Sequence, residues 1–186
     1  SFLGEPVSLV PCETVDHEVP ADAEIVLEGH VLPHVREEEG PFSEFQDYYV
    51  AGMGKNPVVE FRAMTRRGDA IYKAIQNGSE VEGCVFHKIP MAATIYRRLK
   101  NIGGFVDLKN VMILPGIFSV VVQLTQRLAG EAKQVLLGAL ASEYLHPKIA
   151  IAVDEDVNIW NPADILWAIS TRVDPATDVT VIPDLR

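Results

Sequence analysis

Two carboxylates five residues apart, Glu39 and Glu44, flank a Gly-Pro turn in the run Glu39-Gly-Pro-Phe-Ser-Glu44. Four carboxylates (Glu37, Glu38, Glu39, Glu44) fall within nine residues there, and Phe42 and Phe45 stand close enough in sequence to shield them from water. A carboxyl kept from water beside a like charge holds its proton to higher pH. It can then act as a general acid while its partner stays ionised. The same residues also read as a solvated acidic turn, because loops collect Glu, Gly and Pro, and composition leaves the two readings open.

Other groupings carry less chemistry. Val153-Asp-Glu-Asp-Val-Asn158 opens like a calcium loop, but Ile159 stands where that loop needs glycine and Ile165 where it needs a bidentate Glu. These carboxylates are expected to cap a strand end. His30 and His34 are four apart in a strand-to-loop region, a spacing that gathers two ligands only on a helix. The cluster Arg62, Arg66 and Arg67 could receive an anion, although such clusters most often balance nearby carboxylates. No phosphate loop, dinucleotide glycine fingerprint or Gly-x-Ser-x-Gly elbow occurs.

The elements that must position these residues divide into two groups. In the first third, strand-like runs over Pro6–Val10, Ala23–Leu32 and Val58–Thr65 alternate with turn signals. Ile25 and Leu27 are expected to face one way and Glu24, Val26 and Glu28 the other, as in a half-exposed antiparallel strand. After about residue 79 the predicted order is a strand at Val81–Phe86, a helix at Met91–Lys100, and strands at Val106–Leu114 and Ile117–Leu124 joined by Pro115-Gly116. A helix Gln126–Tyr144 capped by Thr125 and a buried strand Ile149–Val153 follow. A last helix opens with Asn161 as N-cap and Pro162 at its first position, with Ile165, Leu166 and Ile169 as its apolar stripe. This βαββαβ order is ferredoxin-like, and fold alone does not give function. Gly52–Asn56 and Gln76–Glu80 are the expected loops, and the division falls into 1–78 and 79–186.

The chain has 186 residues, with 16 Lys+Arg against 26 Asp+Glu, a net charge of −10, which argues against a nucleic-acid backbone as the main partner. Hydrophobic residues are 48% of the total, enough to bury a core, and no apolar run reaches the ~20 residues a membrane span needs. Cys12 and Cys84 form neither a CxxC nor a Cys/His pattern, which fits a reducing, cytoplasmic compartment.

Several phrases in one order carry a resemblance: Gly4-Glu-Pro-Val, Cys12-Glu-Thr-Val-Asp-His-Glu-Val-Pro-Ala, Ala23-Glu-Ile-Val-Leu-Glu-Gly29, Glu39-Gly-Pro-Phe-Ser-Glu44, Tyr48-Tyr49, Val153-Asp-Glu-Asp-Val-Asn158 and Trp167-Ala-Ile-Ser-Thr-Arg-Val-Asp-Pro175. In these the chain resembles the UbiD-like family of reversible, prenylated-FMN-dependent decarboxylases of aromatic and α,β-unsaturated acids, from residue 4 to about residue 181. The resemblance implies an α+β fold: part of a flavin-reductase-like split β-barrel over 1–78, then an α/β region over 79–186. It also implies that Glu39 orients an arginine and that Glu44 delivers a proton to the carbon vacated by CO2, with substrate held as a covalent prenylated-FMN adduct. Phe45 and Ile89, the latter in an expected Ile89-Pro90 turn, would line the substrate pocket. Ser43 replaces the family's usual glycine and narrows the permitted backbone angles, and Gln46-Asp47 departs from the usual small and polar residues.

By the same resemblance the family's arginine, its metal ligands and most flavin contacts lie upstream of Ser1, and a lysine-bearing segment and oligomerisation helix lie downstream of Arg186. The chain is therefore expected to be a middle to C-terminal portion that by itself binds neither prenylated FMN, nor a divalent metal (Mn or Mg), nor K, and that does not turn over alone. Exposed strand edges are expected to make it self-associate. The alternative is a self-standing ferredoxin-like domain for ligand binding or oligomerisation, without catalysis.

Overall fold

The computed structural model describes residues 4–44, 48–49, 54–102, 106–144 and 146–185. It divides into two compact units, one of Ser1–Phe42 and Tyr49–Ile75, the other of Ser43–Tyr48 and Gln76–Arg186.

In the first unit two short strands, β1 (Leu9–Pro11) and β2 (Glu18–Pro20), pair antiparallel. A long ribbon is formed by β3 (Ile25–Glu39) and β4 (Gly54–Arg66), antiparallel from Ile25↔Arg66 to Glu39↔Gly54 with irregularities after Glu28 and Val31. Gly54 thus begins a strand where a loop was expected, because the chain from Glu37 to Glu39 offers its backbone as partner. Next to the first irregularity, a Cβ on Gly29 would lie 2.3 Å from the Glu60 carbonyl oxygen, so only glycine permits the two strands to approach there.

Burial in β3 does not follow the expected alternation: Ile25 and Val26 are both half-buried, and the most buried side chain is a polar one. Glu28 is 3% exposed while Leu27 is 52% exposed. The Glu28 carboxylate accepts from the backbone N–H groups of Glu13 (2.9 Å) and Thr14 (2.6 Å) and from the Thr14 hydroxyl (2.7 Å). A buried carboxylate with several donors is satisfied, and these bonds hold its pKa below the ordinary value although burial opposes them.

In the second unit α1 (Gly83–Lys100) is followed by β5 (Asp107–Ile113), β6 (Ser119–Thr125), α2 (Glu131–Leu140), β7 (Ile149–Val153) and α3 (Pro162–Arg172). The sheet order is β5-β6-β7, with β5 antiparallel and β7 parallel to β6. The expected ferredoxin-like order needs a strand at Val81–Phe86; instead that run turns into the start of α1. Cys84, Met91, Ile95 and Leu99 are the buried residues of α1, a helical repeat that reaches back through the run. A short apolar run fits strand and helix alike, and here the helical face finds the core. Pro90 consequently lies inside α1, and no Ile89-Pro90 turn forms.

Val120, Val121 and Val122 in the central strand are each 0% exposed. Val120 and Val122 pack with Ile95 and Leu99 of α1 and Val135 and Ala139 of α2; Val121 packs with Ile159 and with Ile165 and Ala168 of α3. The sheet is therefore covered on both faces, and this explains the unbroken apolar sequence of β6. Gly138 lets α2 close on α1, since a Cβ there would lie 2.4 Å from the Ile102 side chain.

The start of α2 and the buried face of α3 differ from expectation. Thr125 ends β6, its hydroxyl donating to Glu155 (2.8 Å), and α2 starts only after Gly130 in a left-handed conformation. Glu131 meanwhile accepts from the N–H groups of Arg127 (2.7 Å) and Leu128 (3.2 Å), which stabilises a turn where helix was expected. In α3 the Asn161 side chain accepts from Ala163 N–H with Pro162 at the first turn, as expected, but Leu166 is exposed and Ala168 takes its place in the core.

Candidate active site

Glu39 is the last residue of β3, opposite Gly54. Asn56, two residues further along β4 and therefore on the same side of the ribbon, donates from Nδ2 to Glu39 Oε2 at 2.6 Å. That fixes the orientation of an otherwise exposed carboxylate. Gly40-Pro41 is a cis peptide, and Phe42 is 40% exposed. Phe42 is thus only a partial shield, and Phe45 lies outside the described residues.

The boundary between the two units passes between Phe42 and Ser43, so Glu39 stands with the ribbon and Glu44 with the second unit. Glu44 is half-buried, and its N–H donates to the Tyr48 carbonyl at 3.2 Å. Ser43 Oγ donates to the Asn77 carbonyl at 2.7 Å. Behind them Gly78 is buried with φ +76°. Sequence reasoning reached Glu39 and Glu44 but not Asn56, Asn77 or Gly78. The Asn-Gly dipeptide at Asn77-Gly78 was a legible turn signal, though nothing local says what packs against it.

Ile89 is on α1 and 61% exposed. Val85 and Phe86, four and three residues earlier, are exposed on the same helix face. Together the three side chains make an exposed apolar face on α1. Lys88 beside it is paired with Glu80, and burial lowers its pKa.

The acidic loop after β7 and the arginine cluster are held by local pairs. Arg172 of α3 grips Asp156 with two bonds (2.8 and 2.6 Å) and lies 3.6 Å from Asp154, so the acidic loop after β7 closes on its own helix. The buried Gln123 amide donates to the Val157 (2.8 Å) and Glu155 (3.1 Å) carbonyls and accepts from Asn110 (2.7 Å). Arg62 pairs with Glu60 and Arg67 with Asp69 and Glu24. Among the described residues no three His, Cys, Asp or Glu side chains gather to hold a metal. The carboxylates of the acidic turn are acceptors of the same charge as a flavin phosphate, so this turn is not suited to hold one.

One unit is a strand ribbon and the other a sheet covered by helices on both faces, an α+β composition. Comparison with known proteins gives the chain a family. Residues 1–80 match the model of the UbiD 3-octaprenyl-4-hydroxybenzoate carboxy-lyase Rift-related domain, and residues 84–186 match the corresponding C-terminal domain. The chain belongs to the UbiD family. It is 37% identical over 185 residues to the anhydromevalonate phosphate decarboxylase of Methanothermobacter thermautotrophicus, covering 97% of this chain and 42% of that protein. To a phenolic acid decarboxylase of Sedimentibacter hydroxybenzoicus it is 35% identical over 185 residues, covering 96% of this chain and 38% of that protein. Among solved structures, an evolved dimeric form of the UbiD-class enzyme HmfF from Pelotomaculum thermopropionicum, in complex with prFMN, superposes with a TM-score of 0.87 at 37% identity. That match covers 98% of this chain and 42% of the other. The chain thus spans about two fifths of the length of these relatives.

Proposed function

We propose that residues 1–186 form part of a reversible non-oxidative decarboxylase acting on an aromatic or α,β-unsaturated carboxylic acid, with Glu44 as proton donor. The observation that carries this reading is the Glu39-to-Glu44 turn, which sets one carboxylate at a strand end under an amide donor and the other, half-buried, on a buried glycine turn. Two carboxylates in different surroundings can take different protonation roles. Support for the reaction class comes from relatives named as decarboxylases.

In this reading Glu39, held by Asn56, orients an arginine contributed from outside residues 1–186. Glu44 passes its proton to the carbon that loses CO2 and recovers it for the reverse reaction. By the family resemblance Phe45, with Ile89 of α1, would line the substrate pocket. Prenylated FMN, when bound, supplies the carbanion stabilisation; its grip, and that of the divalent metal, falls to other residues. Glu39 works from the unit of the strand ribbon and Glu44 from the unit of the helix-covered sheet.

Glu44→Gln and Glu39→Gln in the complete protein, loaded with cofactor, test this through CO2 release. Glu44→Gln should lower kcat by about 10²–10⁴-fold, the usual contribution of a positioned general acid, and Glu39→Gln by less. Parent-like release from Glu44→Gln would remove it from the mechanism.

A further inference from the structure

We infer that Gly78 and Ser43 are positioning residues for Glu44, clamping its backbone to the turn that opens the second unit; this rests on the reading of Glu44 as the proton donor. A Cβ on Gly78 would lie 2.8 Å from Ser43 Oγ, 3.0 Å from the Glu44 carbonyl oxygen and 3.1 Å from Ser43 Cβ. At φ +76° the position also disfavours any other residue. The space a side chain at position 78 would need is therefore taken by Ser43 and the Glu44 carbonyl. Ser43, standing where the family pattern has glycine, adds a hydroxyl bond to the Asn77 carbonyl (2.7 Å), and the Glu44 N–H is held by Tyr48 (3.2 Å).

The turn is itself anchored. Ser79 N–H donates to the Gln76 carbonyl (3.2 Å), and the Ser79 carbonyl accepts from Gly83 (2.9 Å) and Cys84 (3.1 Å). Ser79 Oγ accepts from Glu82 N–H (3.1 Å), and Glu82 Oε2 from Gln76 N–H (3.2 Å). Through these bonds the turn joins α1, whose Cys84 is already part of the buried core. Glu44 sits on a loop, yet its backbone is referenced to a packed helix, which is how a reacting group is held to productive geometry.

The test uses the complete protein loaded with prenylated FMN and three variants: Gly78→Ala, Ser43→Ala and the pair Gly78→Ala with Ser43→Gly. Amide hydrogen exchange at Glu44, thermal melting, kcat and KM are measured on each. Gly78→Ala should lower kcat about tenfold or more, since ~1 Å of misplacement can cost up to ~10²-fold, with KM within about twofold and faster exchange at Glu44. The double variant, which removes Ser43 Oγ and Cβ from the collision, should recover part of that kcat. If Gly78→Ala does not fold, Ser43→Ala carries the test, with a kcat loss of about threefold, as for one hydrogen bond, and faster exchange. Folded variants with parent-like kcat and exchange would overturn the inference, as would a loss confined to KM. Glu44→Gln run in parallel separates the two ideas. If it is inactive while the clamp variants are parent-like, only the clamp is wrong; if it is active, the proton-donor reading fails, and with it the catalytic meaning of the clamp.

Discussion

At the residue scale, the groups most buried by their bonds differ from those expected to react. Glu28 is the clearest case. Its position on β3 was visible, but its role depends on a loop fourteen and fifteen residues earlier, and no local pattern connects them. Because donors to the carboxylate lower its pKa in the folded state, its stabilisation is fully present above the ordinary value of 4.5 and is lost as pH falls through the lower, folded value. Glu28→Gln is therefore expected to melt below the parent near neutral pH, with the deficit shrinking as pH falls below 4.5. A series of melting curves from neutral to acid pH checks this, and a pH-independent deficit would point to packing alone. The partners of Asn56 and Gly78 were likewise out of reach of sequence reading, although Asn77-Gly78 marks a turn. Each acts on a catalytic candidate across a gap, Asn56 on Glu39 at seventeen residues and Gly78 on Glu44 at thirty-four.

At the scale of elements, what was legible was what is decided locally. The Pro115-Gly116 hairpin, the β6–α2–β7 crossover and the cap of α3 follow from turn residues, periodicity and an Asn-Pro start. Asn161→Ala should cost about 1 kcal/mol, the usual worth of an N-cap, read as a lower denaturant midpoint at unchanged slope; an unchanged midpoint would mean that α3 is held by Ile165 and Ala168 alone. The failures were competitions that tertiary contacts decided. Val81–Phe86 satisfies a strand or a helix until Cys84 is seen to share a face with Met91 and Ile95. The segment after β6 looked helical from Gln126, but Glu131 bonds back to Arg127 and Leu128 and delays α2.

At the scale of the molecule, the ribbon and the helix-covered sheet differ in how much of themselves they bury. Among the described residues, the two buried apolar clusters both lie in the second unit. The ribbon instead leaves Leu27, Val31, Val59, Phe61 and Met64 in solvent, with Leu27 opposite Met64 and Val31 opposite Val59. A two-stranded ribbon gains independent stability only when such a face is covered, and open edges invite pairing. Residues 1–186 on their own should therefore self-associate, giving a scattering mass above 20.5 kDa that grows with concentration. A monomer throughout would show that the ribbon is sufficient as it stands. The acidic balance of the chain is spread over both units, and two of its 26 Asp and Glu residues, Glu39 and Glu44, are the ones assigned to chemistry.

That assignment is tested most directly by proton exchange at carbon. The complete, cofactor-loaded protein is incubated with its acid in deuterated water, and label is followed at the carbon that loses CO2, for the parent and for Glu44→Gln. The parent should place one deuterium there, and Glu44→Gln should slow that incorporation by about 10²-fold or more, the scale of a lost general acid, while still binding the acid. Incorporation by Glu44→Gln at the parent rate would contradict the account.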